Sequence, residues 1–244
     1  MKKLVAALFL VLLIAAGAFW SLFTGFGVED AKKAAKDFMG GGEVTALEKK
    51  ADSGDRSAQV EVARLYARGE KGAKKNPKKA LEWFYKAAKQ GDPAAQLEIG
   101  RMYEKGEGVS QDNFRAAEWF RVAAGPGKNA EAQFILGQMY ASGRGVPNDY
   151  DKAVHFYQLS ADQGHAGAQF LMGAMYSEGW GVKQDYVEAY KWFALAMDKE
   201  EAALAINKKY DPTARRNAIA AKMNRAQISE AESMADVWRK AHKR

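Results

Sequence analysis

Asp112, Asp149 and Asp185, with Asn76 in the matching place, recur at intervals of 36, 37 and 36 residues. A regular carboxylate series is a first place to look for acid–base catalysis or a divalent cation. Tyr66, Tyr103, Tyr140 and Tyr176 repeat with them, followed by Trp83, Trp119, Phe156 and Trp192. Such a set could stack planar ligands. Gly-x-Gly pairs at 106/108, 143/145 and 179/181 raise the question of a phosphate loop. His155, His165 and His242 are the three imidazoles, and the 244-residue chain has no cysteine. The absence of cysteine excludes thiol nucleophiles, disulfide frameworks, thiolate metal sites and iron–sulfur clusters together.

A structural reading explains each set better than a catalytic one. The acid and amide series stands just before helical patterns, where a side-chain oxygen caps free backbone N–H groups. The aromatic series falls at helical spacing and reads as core. No Lys-Ser/Thr pair follows the glycines, which read as helix-ending turns. The histidines lack ligand-spaced partners: His155 falls on an exposed helix face, His165 in a turn matching Asp92, and His242 in the tail. No catalytic, cofactor or metal site is expected.

The elements that position these residues form a repeat. Ala-Gln stands at 58–59, 95–96, 132–133 and 168–169, with Tyr seven residues after each Gln. A glycine follows three residues on, and a second glycine closes the turn at 72, 108, 145 and 181. Next come the acid or amide, an alanine (80, 116, 153, 189) and the aromatic. Val62, Leu65 and Tyr66 share one stripe of a first helix. The alanine and aromatic, at i and i+3, share one face of a second. Gly100, Gly137 and Gly173 interrupt the first helices at about 1 kcal/mol each, which predicts that a neighbouring helix approaches closely there. Such a pair of helices buries its faces only by stacking on its neighbours.

This pattern resembles the Sel1-like repeat, a relative of the tetratricopeptide repeat. Ala95-Gln96, Ile99-Gly100, Tyr103, Gly106, Gly108-Val109, Asp112, Ala116, Trp119 and Ala123-Ala124 carry it best. Repeat 1 departs by an extra residue between its glycines and by Ala63 in place of Gly. Repeat 2 closes on Gly125-Pro126-Gly127. Repeat 3 has Phe156 for Trp and Ser160 for the first Ala. The resemblance implies an all-α, right-handed solenoid of about four helix–turn–helix repeats with capping helices at both ends, and the apolar run at the start of the chain adds a hydrophobic N-terminal helix before it.

The expected organisation is a signal-anchor or signal peptide (1–23), a linker (24–43), an N-terminal half-repeat cap (44–56), four repeats (57–198) and C-terminal capping helices (199–244). Lys2 and Lys3 precede an apolar run, Leu4 to Phe23, about 30 Å long as a helix. The flanking charge places the N-terminus in a bacterial cytoplasm and the remainder in the periplasm, anchored in the inner membrane or released if the leader is cleaved. Gly40-Gly41-Gly42 reads as a flexible boundary outside any regular element. Asp211-Pro212 opens a helix. Asn224 to Gln227 fits a capping box for a last helix with Ile228, Ala231, Ala235 and Trp238 on one stripe.

The net charge of +7 sits in the leader and the C-terminal cap, which argues against nucleic-acid binding. The expected activity is that of a non-enzymatic envelope scaffold binding a protein partner through the solenoid, with no cofactor and no small-molecule substrate. A secreted effector that binds a host protein, and a cell-wall or glycan-associated factor, are the alternatives. Candidate contacts are Arg64, Arg68, Arg101, Lys105 and Gln138 on the first helices, and Trp180, which replaces Glu107 and Arg144 of the other turns. The lysine cluster Lys71, Lys74 and Lys75 could meet an acidic partner or anionic lipid.

Overall fold

The computed structural model describes residues 41–125 and 129–242. Among them the chain forms helices α1 (Gly41–Asp52), α2 (Arg56–Arg68), α3 (Pro77–Lys89), α4 (Pro93–Lys105), α5 (Asn113–Ala123) and α6 (Ala130–Ser142). These are followed by α7 (Tyr150–Asp162), α8 (Ala166–Glu178), α9 (Tyr186–Met197), α10 (Glu200–Ile206), α11 (Pro212–Ala220) and α12 (Arg225–His242). The apolar run at 4–23 and the Pro126-Gly127 step lie outside the described residues. The described part of the chain divides into two compact units. One holds α1 to α3 with residues 93–95 and 107–109; the other holds 96–106 and residue 110 onward.

In the first unit, Asp55 caps α2 by accepting from the Ala58 N–H at 2.8 Å. Gly69 ends that helix at φ 75°, donating its N–H to the Leu65 carbonyl, a left-handed position where glycine carries no Cβ penalty. Asn76 then caps α3, with Pro77 in its first turn. The extra residue of repeat 1 is absorbed at Lys71, which takes φ 49° as a non-glycine. One correction concerns the N-terminal boundary. Helix α1 begins at Gly41, so Gly41 and Gly42 lie inside a regular element. Val44 is buried with Leu65 and Ala73, with Leu47 and Tyr66 packed against them. That anchoring outweighs the helix penalty of two glycines.

The second unit repeats the same logic. Asp112, Asp149 and Asp185 cap α5, α7 and α9, each accepting from backbone N–H groups two or three residues on. Their own N–H groups donate to the carbonyls of Tyr103, Tyr140 and Tyr176 at 2.9 to 3.0 Å. Each turn is thus closed from both sides, and Asn76 bonds Tyr66 likewise in the first unit. The predicted close approach at the mid-helix glycines is present. A Cβ on Gly137 would stand 2.6 Å from Tyr157 Cδ1, one on Gly100 2.6 Å from Phe120, and one on Gly173 2.7 Å from Phe193.

The glycine's neighbour is therefore the residue after the predicted aromatic. Phe84, Phe120, Tyr157 and Phe193 are all buried. In the predicted series Trp83 and Trp192 are buried, while Trp119 and Phe156 are only half-buried. Tyr103 and Tyr140 are core; Tyr66 and Tyr176 are half-buried.

The Ala-Gln glutamines have a role that sequence reading left blank. Gln133 donates to the Ala124 carbonyl (3.2 Å) and Gln169 to that of Ala161 (3.3 Å), each at the end of the preceding repeat. In the first unit Gln59 does the same to Ala51 of α1 (3.0 Å). A buried amide must find partners, and these satisfy it while joining consecutive repeats. At the C-terminus the predicted capping box is reciprocal: Asn224 N–H to Gln227 Oε1 at 2.9 Å, and Gln227 N–H to Asn224 Oδ1 at 3.0 Å. Ala231 and Ala235 of α12 are fully buried. Arg239 ties that helix to Asp198 and the Ala194 carbonyl.

Candidate partner-binding surface

Trp180 sits in the turn between α8 and α9 with 54% of its surface exposed. Its backbone is fixed, because both Gly179 N–H and Trp180 N–H donate to the Met175 carbonyl, at 2.8 and 3.1 Å. Gly181 lies against the start of α7, where a Cβ would come within 2.8 Å of the Tyr150 carbonyl oxygen. Tyr150 is itself 46% exposed. The turn therefore presents one large exposed aromatic side chain, and Gly181 brings it up to the start of α7, where Tyr150 is a second. The matching residue one repeat earlier, Arg144, is ion-paired with Glu104 at 2.9 Å.

Of the other candidates in this unit, only Lys105, at the end of α4, is exposed. Arg101 is half-buried and committed to bonds within the fold, with Glu131 at 2.9 Å and Glu98 at 3.6 Å. Gln138 is also half-buried; burial pushes the Tyr210 hydroxyl up, and the Gln138 side chain works against that shift. Both candidates are therefore less open than Lys105. Helix–helix pairing and the return of the C-terminal segment cover them.

His165 occupies a position that sequence reading matched to Asp92 but gave no bonds. It is the N-cap of α8, with Nδ1 accepting from the Ala168 N–H at 3.2 Å. The remaining ring nitrogen therefore carries the proton, and Nε2 donates to Glu131 Oε2 at 2.9 Å. Phe134 stacks on the ring at 4.5 Å. The hydrogen bond from His165 holds the Glu131 carboxyl below the usual glutamate range, helped by the charge of Arg101 and opposed by burial. In the other repeats Asp55, Asp92 and Asn129 make the equivalent cap, a recurrence that could have pointed to the role of His165.

In the first unit Arg64 and Arg68 are exposed on α2, and Arg68 lies 3.9 Å from Glu70. Lys71 reaches Glu43 at 3.8 Å and Glu61 at 3.7 Å. With Leu47 and Leu65 these residues line a pocket of about 250 Å³. Lys74 and Lys75 are exposed. Lys79 instead bonds Glu48 and the Tyr66 hydroxyl, at 2.7 and 2.8 Å. The zero balance of the repeat array hides a division: residues 41–92 carry a net +4 and residues 93–198 a net −4. Among the described residues no three His, Asp or Glu side chains converge as metal ligands. No described helix is long and apolar enough to cross a membrane.

The Sel1 repeat matches this chain at residues 56–92, 93–124, 130–165 and 166–199. Comparison with curated proteins finds no match. Among solved structures, the chain resembles a protective antigen of uropathogenic Escherichia coli with an SLR fold. That likeness has 29% identity and a TM-score of 0.69, over 95% of this chain and 45% of the antigen. It also resembles a Sel1 repeat protein of Oxalobacter formigenes, at 34% identity and a TM-score of 0.61, over 68% of this chain and 48% of that one. The chain thus spans about half the length of both. Four helix pairs with their caps, turn glycines and matched repeats establish that the chain belongs to the Sel1 repeat family, an all-helical solenoid fold that generally serves as a protein-interaction scaffold.

Proposed function

We propose that this chain is a non-enzymatic scaffold of the bacterial cell envelope that binds a partner protein, with Trp180 as an anchor of the contact. The observation that carries this reading is Trp180 itself, 54% exposed on a turn whose Gly179 and Trp180 N–H groups are both bonded to Met175. A rigid exposed Trp beside an exposed Tyr has the chemistry of an interface hot spot, burying large area at small conformational cost. Lys74 and Lys75, and Lys71 beside them, supply a basic patch suited to an acidic partner.

The apolar run from Leu4 to Phe23, preceded by Lys2 and Lys3, supports anchoring in the inner membrane with the repeats in the periplasm. The likeness to a protective antigen supports an extracytoplasmic location and favours one second reading, a secreted protein acting on a host partner. The mass of the mature N-terminus separates the two, since a chain beginning near Phe19 is not anchored. The partner test is crosslinking and capture from membranes, with Trp180→Ala and with Lys71, Lys74 and Lys75 reversed to Glu. At least one variant should lose a partner that the native chain captures. If both keep every partner, the surface assignment is wrong.

A further inference from the structure

The segment that follows the last repeat folds back over the first helices of repeats 3 and 4. Lys199 Nζ donates to the Gly164 carbonyl at 2.8 Å and starts the return. Helix α10 then runs over α8. Its last residue, Ile206, sits where a Cβ on Gly167 would be 2.8 Å from Ile206 Cδ1 and 3.1 Å from Phe134 Cζ. Asn207 next makes a tight turn, accepting from the Lys209 N–H on its side chain and from the Tyr210 N–H on its carbonyl, at 2.9 and 2.8 Å. That turn delivers the Tyr210 ring onto Phe170 of α8, stacked at 4.7 Å with planes 18° apart.

The site beneath is well built and the segment above it is lightly held. Phe134 and Phe170 are 3% and 4% exposed, and Gly167 leaves the space that Ile206 enters. In the segment, Ala203 is the buried residue of α10, Ile206 remains 42% exposed, and Asn207, Lys208 and Lys209 are exposed. Few buried apolar contacts and an exposed backbone mark the part of a fold that opens first.

We propose that residues 199–211 are an internal occupant of a peptide-binding groove on α6 and α8, displaced by a partner segment that carries an aliphatic residue four positions before a tyrosine. The occupant defines the partner's chemistry. The aliphatic side chain fills the space over Gly167 beside Phe134 of α6, and the tyrosine ring stacks on Phe170. This inference rests on the scaffold reading and gives it a second contact site apart from Trp180. Because binding requires the groove to open, the apparent affinity of any partner is reduced by the fraction of chains in which the segment is detached. The structure therefore carries a threshold: only a segment that matches both anchors competes well.

The test uses the full chain in detergent and a labelled peptide of residues 199–211, read by fluorescence polarisation. The double variant Ile206→Ala/Tyr210→Ala vacates the groove. It should bind the peptide at least about ten-fold tighter than the native chain, in line with a segment attached in most molecules. A peptide with alanine at the Tyr210 position should lose that binding. Equal binding to both chains, or none to either, overturns the proposal. Should the double variant lose helicity, hydrogen exchange of the native chain decides instead. Residues 199–211 should exchange faster than α9, and faster still with excess peptide; exchange locked to that of α9 overturns the proposal. A native dimer that Tyr210→Ala dissociates also overturns it, since the segment would then bridge two copies. The peptide assay needs no natural partner. Its failure, with capture still dependent on Trp180, removes the groove and leaves the scaffold standing; its success with no captured partner does the reverse.

Discussion

Replacing Gly137 with alanine sets two known effects against each other. In an ordinary helix interior the change stabilises by about 1 kcal/mol, because alanine has less backbone freedom to lose. Here the new Cβ would lie 2.6 Å from Tyr157 Cδ1 and 2.7 Å from Cε1, where ordinary contacts begin near 3.4 Å. The ring or the helix must yield by about 0.8 Å. Tyr157 has little room to do so, being 3% exposed and tilted against Phe134 at 6.0 Å. Overpacking of this kind costs about 1–3 kcal/mol, so Gly137→Ala should lose about 1 kcal/mol net. Tyr157→Ala removes the obstacle. In that background the same substitution should gain about 1 kcal/mol from helix propensity alone. The coupling of about 2 kcal/mol lies within the range for residues in contact. Urea denaturation followed by far-ultraviolet circular dichroism on the four chains of the cycle measures it. A Gly137→Ala change that stabilises both backgrounds equally would refute the argument that the second helix enforces glycine here.

The Glu131 carboxyl titrates below its ordinary value of about 4.3 because His165 donates to it. Its contribution is fully present above that unfolded value and is lost as pH falls through the lower, folded one. Glu131→Gln should therefore lower the urea midpoint at pH 7, with the deficit shrinking towards pH 3; a deficit constant with pH would refute the pairing. Asn224→Ala removes one half of the reciprocal cap on α12 and should cost about 1 kcal/mol. Faster hydrogen exchange in the first turn of α12 checks it, and unchanged protection there would show that packing on α9 alone sets that helix start.

What was legible in the sequence is what obeys local rules. Asp112, Asp149 and Asp185 as caps, Gly143 and Gly179 as left-handed helix ends, and the Asn224 box all follow from residues within four positions of one another. The close approach at Gly100, Gly137 and Gly173 was legible as a cost in need of a reason. Its partner was not, because the crossing of two helices decides whether Trp119 or Phe120 meets the glycine. His165 and Glu131 are 34 residues apart, so nothing local joins them. Segment 199–211 shows no helical period strong enough to reveal a fold-back, so Gln138 read as an open surface position. The glycines at 41 and 42 went the other way: local propensity argued against a helix, and burial of Val44 overrode it.

The glutamine clamp between repeats has a consequence for how such chains change length. Gln133 and Gln169 bond a main-chain carbonyl of the preceding repeat rather than one of its side chains. Every residue type supplies that carbonyl, so this bond asks nothing of the neighbour's side-chain identity, unlike the Arg101–Glu131 and Glu104–Arg144 ion pairs that cross the same kind of junction. A repeat that is duplicated or excised whole keeps this main-chain bond, while side-chain pairs such as Arg101–Glu131 depend on which repeats become neighbours. The number of repeats can drift, or be selected for reach, independently of the surface that any single repeat presents.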